Sequence, residues 1–207
     1  MTTVSVASPS ATANTTSGTR TALTAAGLVG ALGSAGYIAG LFLLSGFTSE
    51  QTQTAPITVT ECLLTGLAYI TVAVMLPGLA TVTRLPRWAL SLAAAGYAFI
   101  AIQAWAYGTL IPELASRLPA EQWEQIGQHP HFFLQLFELS TGLVCVVALI
   151  ALAVVGWRRR AMSRGACVLF ILAGLASLLG PFPPVGLLAG LALAWTVRSA
   201  APVTQAG

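Results

Sequence analysis

"FFLQLFELSTGLVCVVALIALAVVGWRRR" (Phe132–Arg160) joins a long apolar run to three consecutive arginines. A helix that crosses a membrane needs about 20 predominantly apolar residues, and residues 133–156 meet this requirement. Arginines accumulate at the cytoplasmic ends of such helices. The stretch therefore predicts a transmembrane helix that ends at the inner face of a membrane.

The composition extends this prediction to the whole chain. Of 207 residues, 56% are hydrophobic and 7% are charged, whereas a soluble domain has about 25% charged residues. We therefore expect an all-α, polytopic integral membrane helix bundle in the cell membrane, with the lipid bilayer as its partner. The net charge of +3 is explained by arginines that flank the spans, so no nucleic-acid partner is expected.

Six apolar stretches are predicted to be transmembrane helices: residues about 22–45, 60–82, 88–111, 133–156, 162–180 and 184–198. The last two are separated by the sequence GPFPP (Gly180–Pro184). Proline interrupts a continuous helix because it lacks a backbone donor and its ring clashes with the preceding turn. The alternative is five spans, with residues 162–198 as one kinked helix.

The charged residues favour six spans. With six spans, one side of the membrane has all but one of the arginines: Arg20, Arg84, Arg87, Arg158, Arg159, Arg160, Arg164 and Arg198. The other side has Arg117 and all six glutamates. Because positive residues concentrate in cytoplasmic segments, both chain termini are expected in the cytoplasm.

The segments outside the spans are polar. Residues 1–19 are rich in Ser, Thr and Ala without an apolar period, which predicts a disordered N-terminal tail. Residues 20–200 are expected to form a single transmembrane domain, and residues 201–207 a flexible C-terminus. In the outer loop between the third and fourth spans, Ala120–Ile126 is predicted to form a short amphipathic helix.

Small residues recur at four-residue spacing in the first and sixth spans. The stripes consist of Ala26, Gly30 and Ser34 in the first span and Gly186, Gly190 and Ala194 in the sixth. Such stripes allow helix backbones to approach closely. They are explained either by a homodimer interface or by packing within one bundle, and the second explanation is favoured because these stripes are general in membrane bundles.

A line of polar side chains runs along the outer part of the fourth span. His131, Gln135 and Glu138 are spaced i, i+4, i+7 and share one helix face, which Gly142 and Cys145 continue. Glu138 is expected to be buried in the bundle. A carboxylate inside a transmembrane segment is a functional candidate because its burial is costly.

Polar and aromatic side chains lie at a similar depth in the other spans. They are Tyr37 in the first span, Glu61 and Tyr69 in the second, and Gln103, Trp105 and Tyr107 in the third. Together with Gln135 and Glu138 they are expected to line a pocket that opens outward. The structural explanation is that the glutamines form hydrogen bonds between helices and the aromatic residues lie at the membrane interface.

Two classes of function fit this pocket. In the first, Glu138 donates a proton and Glu61 accepts one, while aromatic rings stabilise a developing cation, in the isomerisation or cyclisation of an isoprenoid-like lipophilic molecule. In size and in its membrane carboxylates the chain resembles the small membrane-embedded terpene cyclases. This architectural resemblance implies the same activity but assigns no residue, since no motif of the family is present. In the second class, the protein is a small transporter or a binding or accessory membrane subunit.

Metal and cofactor chemistry is not predicted. His129 and His131 are weak candidates for metal ligands, since zinc sites need three or four protein ligands and no third ligand occurs at a fixed spacing. No phosphate-binding loop, zinc-protease or hydrolase motif is present. No two of the three cysteines form a C-x-x-C pair, so a disulfide framework is not expected.

Overall fold

The computed structural model describes residues 9–44, 46–81, 83–128, 132–180 and 182–199. These residues form nine α-helices and one 3-10 helix, with no β-strand among them. The helices are α1 (Pro9–Leu43), α2 (Ser49–Thr54), α3 (Pro56–Met75), the 3-10 helix (Leu76–Thr81), α4 (Arg87–Gly108), α5 (Leu110–Arg117), α6 (Ala120–Gln128), α7 (Phe132–Arg158), α8 (Arg164–Ala176) and α9 (Pro184–Ser199). The predicted all-α class is confirmed.

Four helical segments are long and apolar enough to cross a membrane: Ser17–Leu43, Pro56–Thr81, Arg87–Arg117 and Gln135–Arg158. They correspond to the first four predicted spans. The helices in the fifth and sixth predicted spans are shorter, with 13 residues in α8 and 16 in α9. At about 1.5 Å per residue, α8 is about 20 Å long, which is less than the roughly 30 Å of a hydrocarbon core.

The ends of several helices differ from the prediction. Helix α1 begins at Pro9, so the part of the predicted tail between residues 9 and 19 is helical rather than disordered. Proline suits the first turn of a helix because the backbone N–H is not needed there. From Pro9 the helix continues without interruption into the apolar span. Residues 1–8 and the predicted flexible C-terminus, 201–207, lie outside the described residues.

Three short helices, α2, α5 and α6, lie at the end of the bundle that the sequence predicts to be outside. Helix α6 confirms the helix predicted over Ala120–Ile126. Helix α2 has no counterpart in the prediction and begins at a capping box, in which the Thr48 hydroxyl accepts from the Gln51 backbone and the Gln51 side chain accepts from the Thr48 backbone. This arrangement satisfies two backbone donors that a helix start leaves unpaired.

The six long and intermediate helices form a ring in chain order. Helix α1 packs on α3, α3 on α4, α4 on α7, α7 on α8, α8 on α9, and α9 returns to α1. The Arg20 guanidinium donates a hydrogen bond of 3.1 Å to the backbone oxygen of Val197. The start of the first span and the end of α9 therefore lie side by side.

The small-residue stripe of α9 packs on small residues of α1: Gly190 lies against Gly27 and Ala31, and Gly186 lies against Ser34. Gly30 of the predicted α1 stripe faces Tyr69 of α3 instead. A Cβ atom added at Gly27 would lie 2.9 Å from the carbonyl oxygen of Gly190, and one added at Gly186 would collide with the Ser34 hydroxyl. Close approach of the two backbones explains why both helices need small residues there. The stripes are thus occupied within one chain, at the surfaces that a homodimer through them would use.

Two tyrosines occupy the middle of the ring. Tyr69 and Tyr97 are fully buried, and their ring centroids are 5.4 Å apart. The Tyr97 hydroxyl donates to the backbone oxygen of Ala189 at 2.7 Å, and the Tyr69 hydroxyl donates to that of Gly186. These bonds connect α3 and α4 to α9 and satisfy hydroxyl groups that would be costly to bury unpaired.

Candidate functional site

The outer end of α7 is not covered by other helices. Every described side chain between Phe132 and Ser140 is exposed. The cause is the length of α8, which ends at Ala176, where the next residue, Ser177, donates a hydrogen bond of 3.1 Å to the Gly142 backbone oxygen. Beyond Gly142, therefore, α7 extends past its neighbour. We call Phe132–Ser140 the uncovered end of α7.

The prediction that Glu138 is buried is wrong. Glu138 belongs to the uncovered end of α7 and is exposed, and among the described residues no charged side chain is buried. The i, i+4, i+7 line is therefore divided. Its inner members Gly142 and Cys145 are buried, whereas Gln135 and Glu138 face outward.

With Arg158 at one boundary of a membrane, the length of α7 would bring Glu138 to the opposite boundary. Twenty residues separate Glu138 from Arg158, and in a helix they span about 30 Å, which equals the thickness of a hydrocarbon core. The same interval separates Arg87 from Tyr107 in α4. In agreement with this equal depth, Glu138 lies within electrostatic range of the Tyr107 hydroxyl.

Three aromatic rings meet beside this boundary. Tyr37 of α1 lies 5.2 Å from Phe182 and 6.2 Å from Tyr107 between ring centroids, and Tyr107 lies 6.0 Å from Phe182. The side chains of Cys62 and Ala104 are buried against them. We call Tyr37, Tyr107 and Phe182 the outer aromatic cluster. Such tilted and edge-on arrangements are the favoured geometries of aromatic contacts.

Glu61 approaches the same cluster from α3. Its carboxylate packs against Gly36 of α1, where an added Cβ atom would lie 2.8 Å from the carboxylate carbon. Glycine at position 36, next to Tyr37, therefore leaves the space that the carboxylate fills. Glu61 is partly buried in the second turn of α3, because α3 begins at Pro56, before the predicted start of the span at about residue 60.

Gln53 of α2 also lies near the outer aromatic cluster, and it was not among the residues selected from the sequence. Its side chain lies near the Tyr37 hydroxyl, and its Oε1 atom is buried without a hydrogen-bond partner among the described residues. A buried acceptor without a partner is costly and calls for an explanation such as a missing donor. The acceptor lies beside the outer aromatic cluster.

The other predicted site residues are dispersed. Tyr69 is part of the central core and Gln103 is buried within the bundle. The indole of Trp105 lies over Gly66 of α3 and remains 40% exposed. The structure thus brings Tyr37, Tyr107, Glu61 and Glu138 around one region, and it separates Tyr69 from them.

The metal candidates cannot be placed in this region. His129 and His131 lie outside the described residues. In the part of the chain that the structure describes, no group of three or more His, Cys, Asp or Glu side chains has a geometry suited to a metal ion.

Three members of the region were missed by sequence reasoning. Phe182 lies between prolines in a turn, and its position depends on where α8 ends. Gln53 lies in a polar segment that gave no helix signal apart from the Thr48–Gln51 spacing. Cys62 follows Glu61 directly, but an isolated cysteine in an apolar helix is usually a packing residue.

Comparison of the chain with protein-family models, curated proteins and solved structures gives no match. The fold defines a helical bundle with four helices that are long and apolar enough to cross a membrane, and with a polar and aromatic region at one end.

Proposed function

We propose that this protein binds a lipophilic molecule with a positively charged group at the outer boundary of the cell membrane. The observation that carries the proposal is the position of the Glu138 carboxylate, which is exposed on the uncovered end of α7 within electrostatic range of Tyr107 in the outer aromatic cluster. Carboxylates and the faces of aromatic rings both attract organic cations.

The surroundings supply both parts of such a binding site. On the charged side, the Glu61 carboxylate lies beside Tyr37, at Gly36, and the unpartnered Oε1 atom of Gln53 offers an acceptor. On the apolar side, the exposed Leu136, Phe137 and Leu139 surround Glu138 on α7. A molecule with a cationic head and a hydrocarbon tail would contact both.

Binding is proposed in place of acid–base catalysis. The catalytic hypothesis requires carboxyl groups held in a low-dielectric pocket, since desolvation is what keeps an acid protonated near neutral pH. Glu138 is exposed and Glu61 is only partly buried, so the protein itself encloses neither carboxyl group in a pocket. The resemblance to membrane terpene cyclases likewise gains no support from the comparisons.

Six spans with both ends in the cytoplasm are the topology that we propose for this protein. The closed order of the ring and the bond from Arg20 to Val197 support it, because they place the beginning of α1 and the end of α9 at the same face. The shorter α8 and α9 then cross as a pair, and the turn between them reaches the level of Gly142.

Substitution of Glu138 tests the binding proposal. The full chain, in nanodiscs of neutral phosphatidylcholine, is titrated with dodecyltrimethylammonium and with uncharged dodecanol, and empty nanodiscs give the reference. We expect the cation to bind more tightly than the alcohol, and Glu138→Gln to weaken cation binding about tenfold, equivalent to about 1.4 kcal/mol. Loss of one carboxylate removes its attraction but leaves the apolar contacts.

Glu121→Gln is the matched control, because Glu121 is an exposed glutamate on the outer helix α6. It should bind both probes like the unaltered protein. Equal affinity of the unaltered protein and Glu138→Gln for the cation would contradict the proposal, as would equal binding of cation and alcohol by the unaltered protein. Thermal unfolding of each variant separates a binding effect from a loss of structure.

A further inference from the structure

A cavity of 760 Å³ lies at the opposite end of the bundle, in the connection between α7 and α8. Its lining residues are Trp157, Arg158, Arg160, Met162, Ser163 and Arg164. Three of the six are arginines, and none of them belongs to the binding region at the outer end. We propose that this inner basic cavity binds the phosphate group of an anionic membrane lipid.

No carboxylate of the described residues neutralises the positive charge of the cavity. Among the described residues the only ion pair joins Arg117 to Glu113, which lie together in α5 near the outer end of the bundle. Arg158, Arg160 and Arg164 therefore bring three guanidinium groups to one cavity without a carboxylate. Guanidinium groups bind phosphate oxygens through paired N–H donors, so an anion of this kind relieves their mutual repulsion.

The backbone at Arg160 is a second observation. Helix α7 ends in a Schellman motif, in which the Ala161 amide donates to the Gly156 carbonyl at 2.9 Å and the Arg160 amide to the Trp157 carbonyl at 3.1 Å. Arg160 takes the left-handed position of this motif, with a φ of 51°. Glycine is the usual residue there because a Cβ atom is unfavourable in that conformation. The chain has instead a residue whose guanidinium lines the cavity.

The start of α8 adds to the positive potential in the cavity. Ser163, the N-cap residue, accepts a hydrogen bond from the Ala166 amide at 3.2 Å and also lines the cavity. The N-terminus of a helix has a partial positive charge that favours anions. The helix dipole and the three arginines thus act on the same volume.

The apolar wall of the cavity indicates that the phosphate belongs to a lipid. The Arg164 guanidinium lies 6.0 Å from the centre of the Trp157 ring, and Met162 packs against Gly156. Trp157 is 48% exposed at the end of a membrane-spanning helix, where tryptophan lies at the level of lipid head groups. A basic surface next to an apolar one at this level fits a phosphate with acyl chains better than a free anion. Basic pockets on the cytoplasmic side of helical membrane proteins bind anionic head groups in this way.

Native mass spectrometry of the full chain in detergent tests the proposal. The protein is titrated with dioleoylphosphatidylglycerol, with dioleoylphosphatidylcholine, and with phosphatidylglycerol in the presence of inorganic phosphate. We expect the anionic lipid to be retained at concentrations at least several-fold lower than the neutral lipid, and inorganic phosphate to compete only weakly. Inorganic phosphate that displaces the lipid at equal concentration would overturn the assignment to a lipid.

The arginine variants separate the cavity from general attraction to a basic loop. Arg164→Gln is expected to weaken phosphatidylglycerol binding about tenfold. Arg159→Gln is the matched control, since Arg159 is exposed in the same loop but does not line the cavity. Equal effects of the two substitutions would overturn the proposal, because they would show that only the total charge of the loop matters.

The Arg160→Gly variant distinguishes a loss of lipid binding from a loss of structure. Glycine suits the left-handed backbone, so the lipid-free variant should unfold at the same temperature as the unaltered protein or at a higher one. It also removes one guanidinium, so its affinity for phosphatidylglycerol should fall. Undiminished affinity in this variant would contradict the proposal.

Discussion

At the scale of single residues, the structure assigns different roles to side chains that look alike in sequence. Tyr97 and Tyr107 are both tyrosines of α4, yet Tyr97 is fully buried and bonded to α9, whereas Tyr107 is partly exposed in the outer aromatic cluster. Their separation along the helix, about 15 Å, takes them from the core to the membrane boundary. Tyr97 stabilises the bundle, whereas Tyr107 belongs to the proposed binding region.

Removal of the Tyr97 hydroxyl should therefore destabilise the bundle. Tyr97→Phe leaves the ring but deprives the Ala189 carbonyl of its donor, and the loss of such a buried bond costs about 1 kcal/mol. We expect a lower temperature of unfolding in detergent, measured by circular dichroism. Tyr107→Phe is the control, and a loss of the same size in that variant would contradict the distinction between the two tyrosines.

At the scale of the helices, the positions of the main elements follow from the sequence but their relative depth does not. The apolar stretches predicted the helices of the ring, because the length of an apolar segment and its flanking arginines can be recognised within the segment itself. The end of α8 was predicted four residues too late, at position 180. Leu178 and Leu179 are apolar, but they lie in the turn by which the chain reverses before the prolines, and Leu179 is 93% exposed.

The early end of α8 also explains why Glu138 was misplaced. Whether a side chain on α7 is covered depends on how far the neighbouring helix extends, and that length is set by the turn at Gly180, which has a φ of 132°. No local pattern in α7 contains this information. By contrast, Tyr37 and Glu61 could be selected from the sequence, because a polar group near the end of an apolar helix is conspicuous there. Their role in a site stays a prediction.

The contact between α1 and α9 can be tested by comparing alanine substitutions of two glycines of α1, one inside the contact and one outside it. Gly27→Ala places a Cβ atom against the Gly190 carbonyl, so the helices must separate and the protein should unfold at a lower temperature. Gly40→Ala meets nothing within 4 Å and should be neutral or stabilising, since alanine favours a helix over glycine by about 1 kcal/mol.

Thermal unfolding of the two variants under identical detergent conditions provides the measurement. The substitution is chemically the same in both, so differences in helix propensity cancel. A Gly27→Ala protein as stable as Gly40→Ala would show that α1 and α9 do not approach as closely as described.

At the scale of the whole molecule, all arginines except Arg117 lie at one end of the bundle, and the glutamates lie at the other end together with Arg117. The arginines at the ends of α7 and α8 surround the inner basic cavity, whereas Glu61 and Glu138 lie beside the outer aromatic cluster. An orientation in the membrane with the arginines inside follows from the usual distribution of positive charge. The proposed even number of spans depends on the short α8 and α9 crossing as a pair.

Labelling of introduced cysteines tests this topology. With both ends in the cytoplasm, a membrane-impermeant maleimide should label Gln122→Cys in intact cells and should label Ser17→Cys and Ser199→Cys only after permeabilisation. The native Cys62, Cys145 and Cys167 are buried, so their background should be low. Labelling of Ser199→Cys in intact cells would mean an odd number of spans.

The uncovered end of α7 also determines how a ligand would reach the outer aromatic cluster. In the proposed topology, α8 is too short to close that side, and the region would face the hydrocarbon of the outer leaflet as well as the water above it. The concentration that matters is then the concentration of ligand dissolved in the bilayer. Each CH₂ group added to the tail of a ligand makes the free energy of its transfer into the membrane more favourable by about 0.8 kcal/mol. The apparent affinity in water would thus rise with tail length even if every contact with the protein stayed the same.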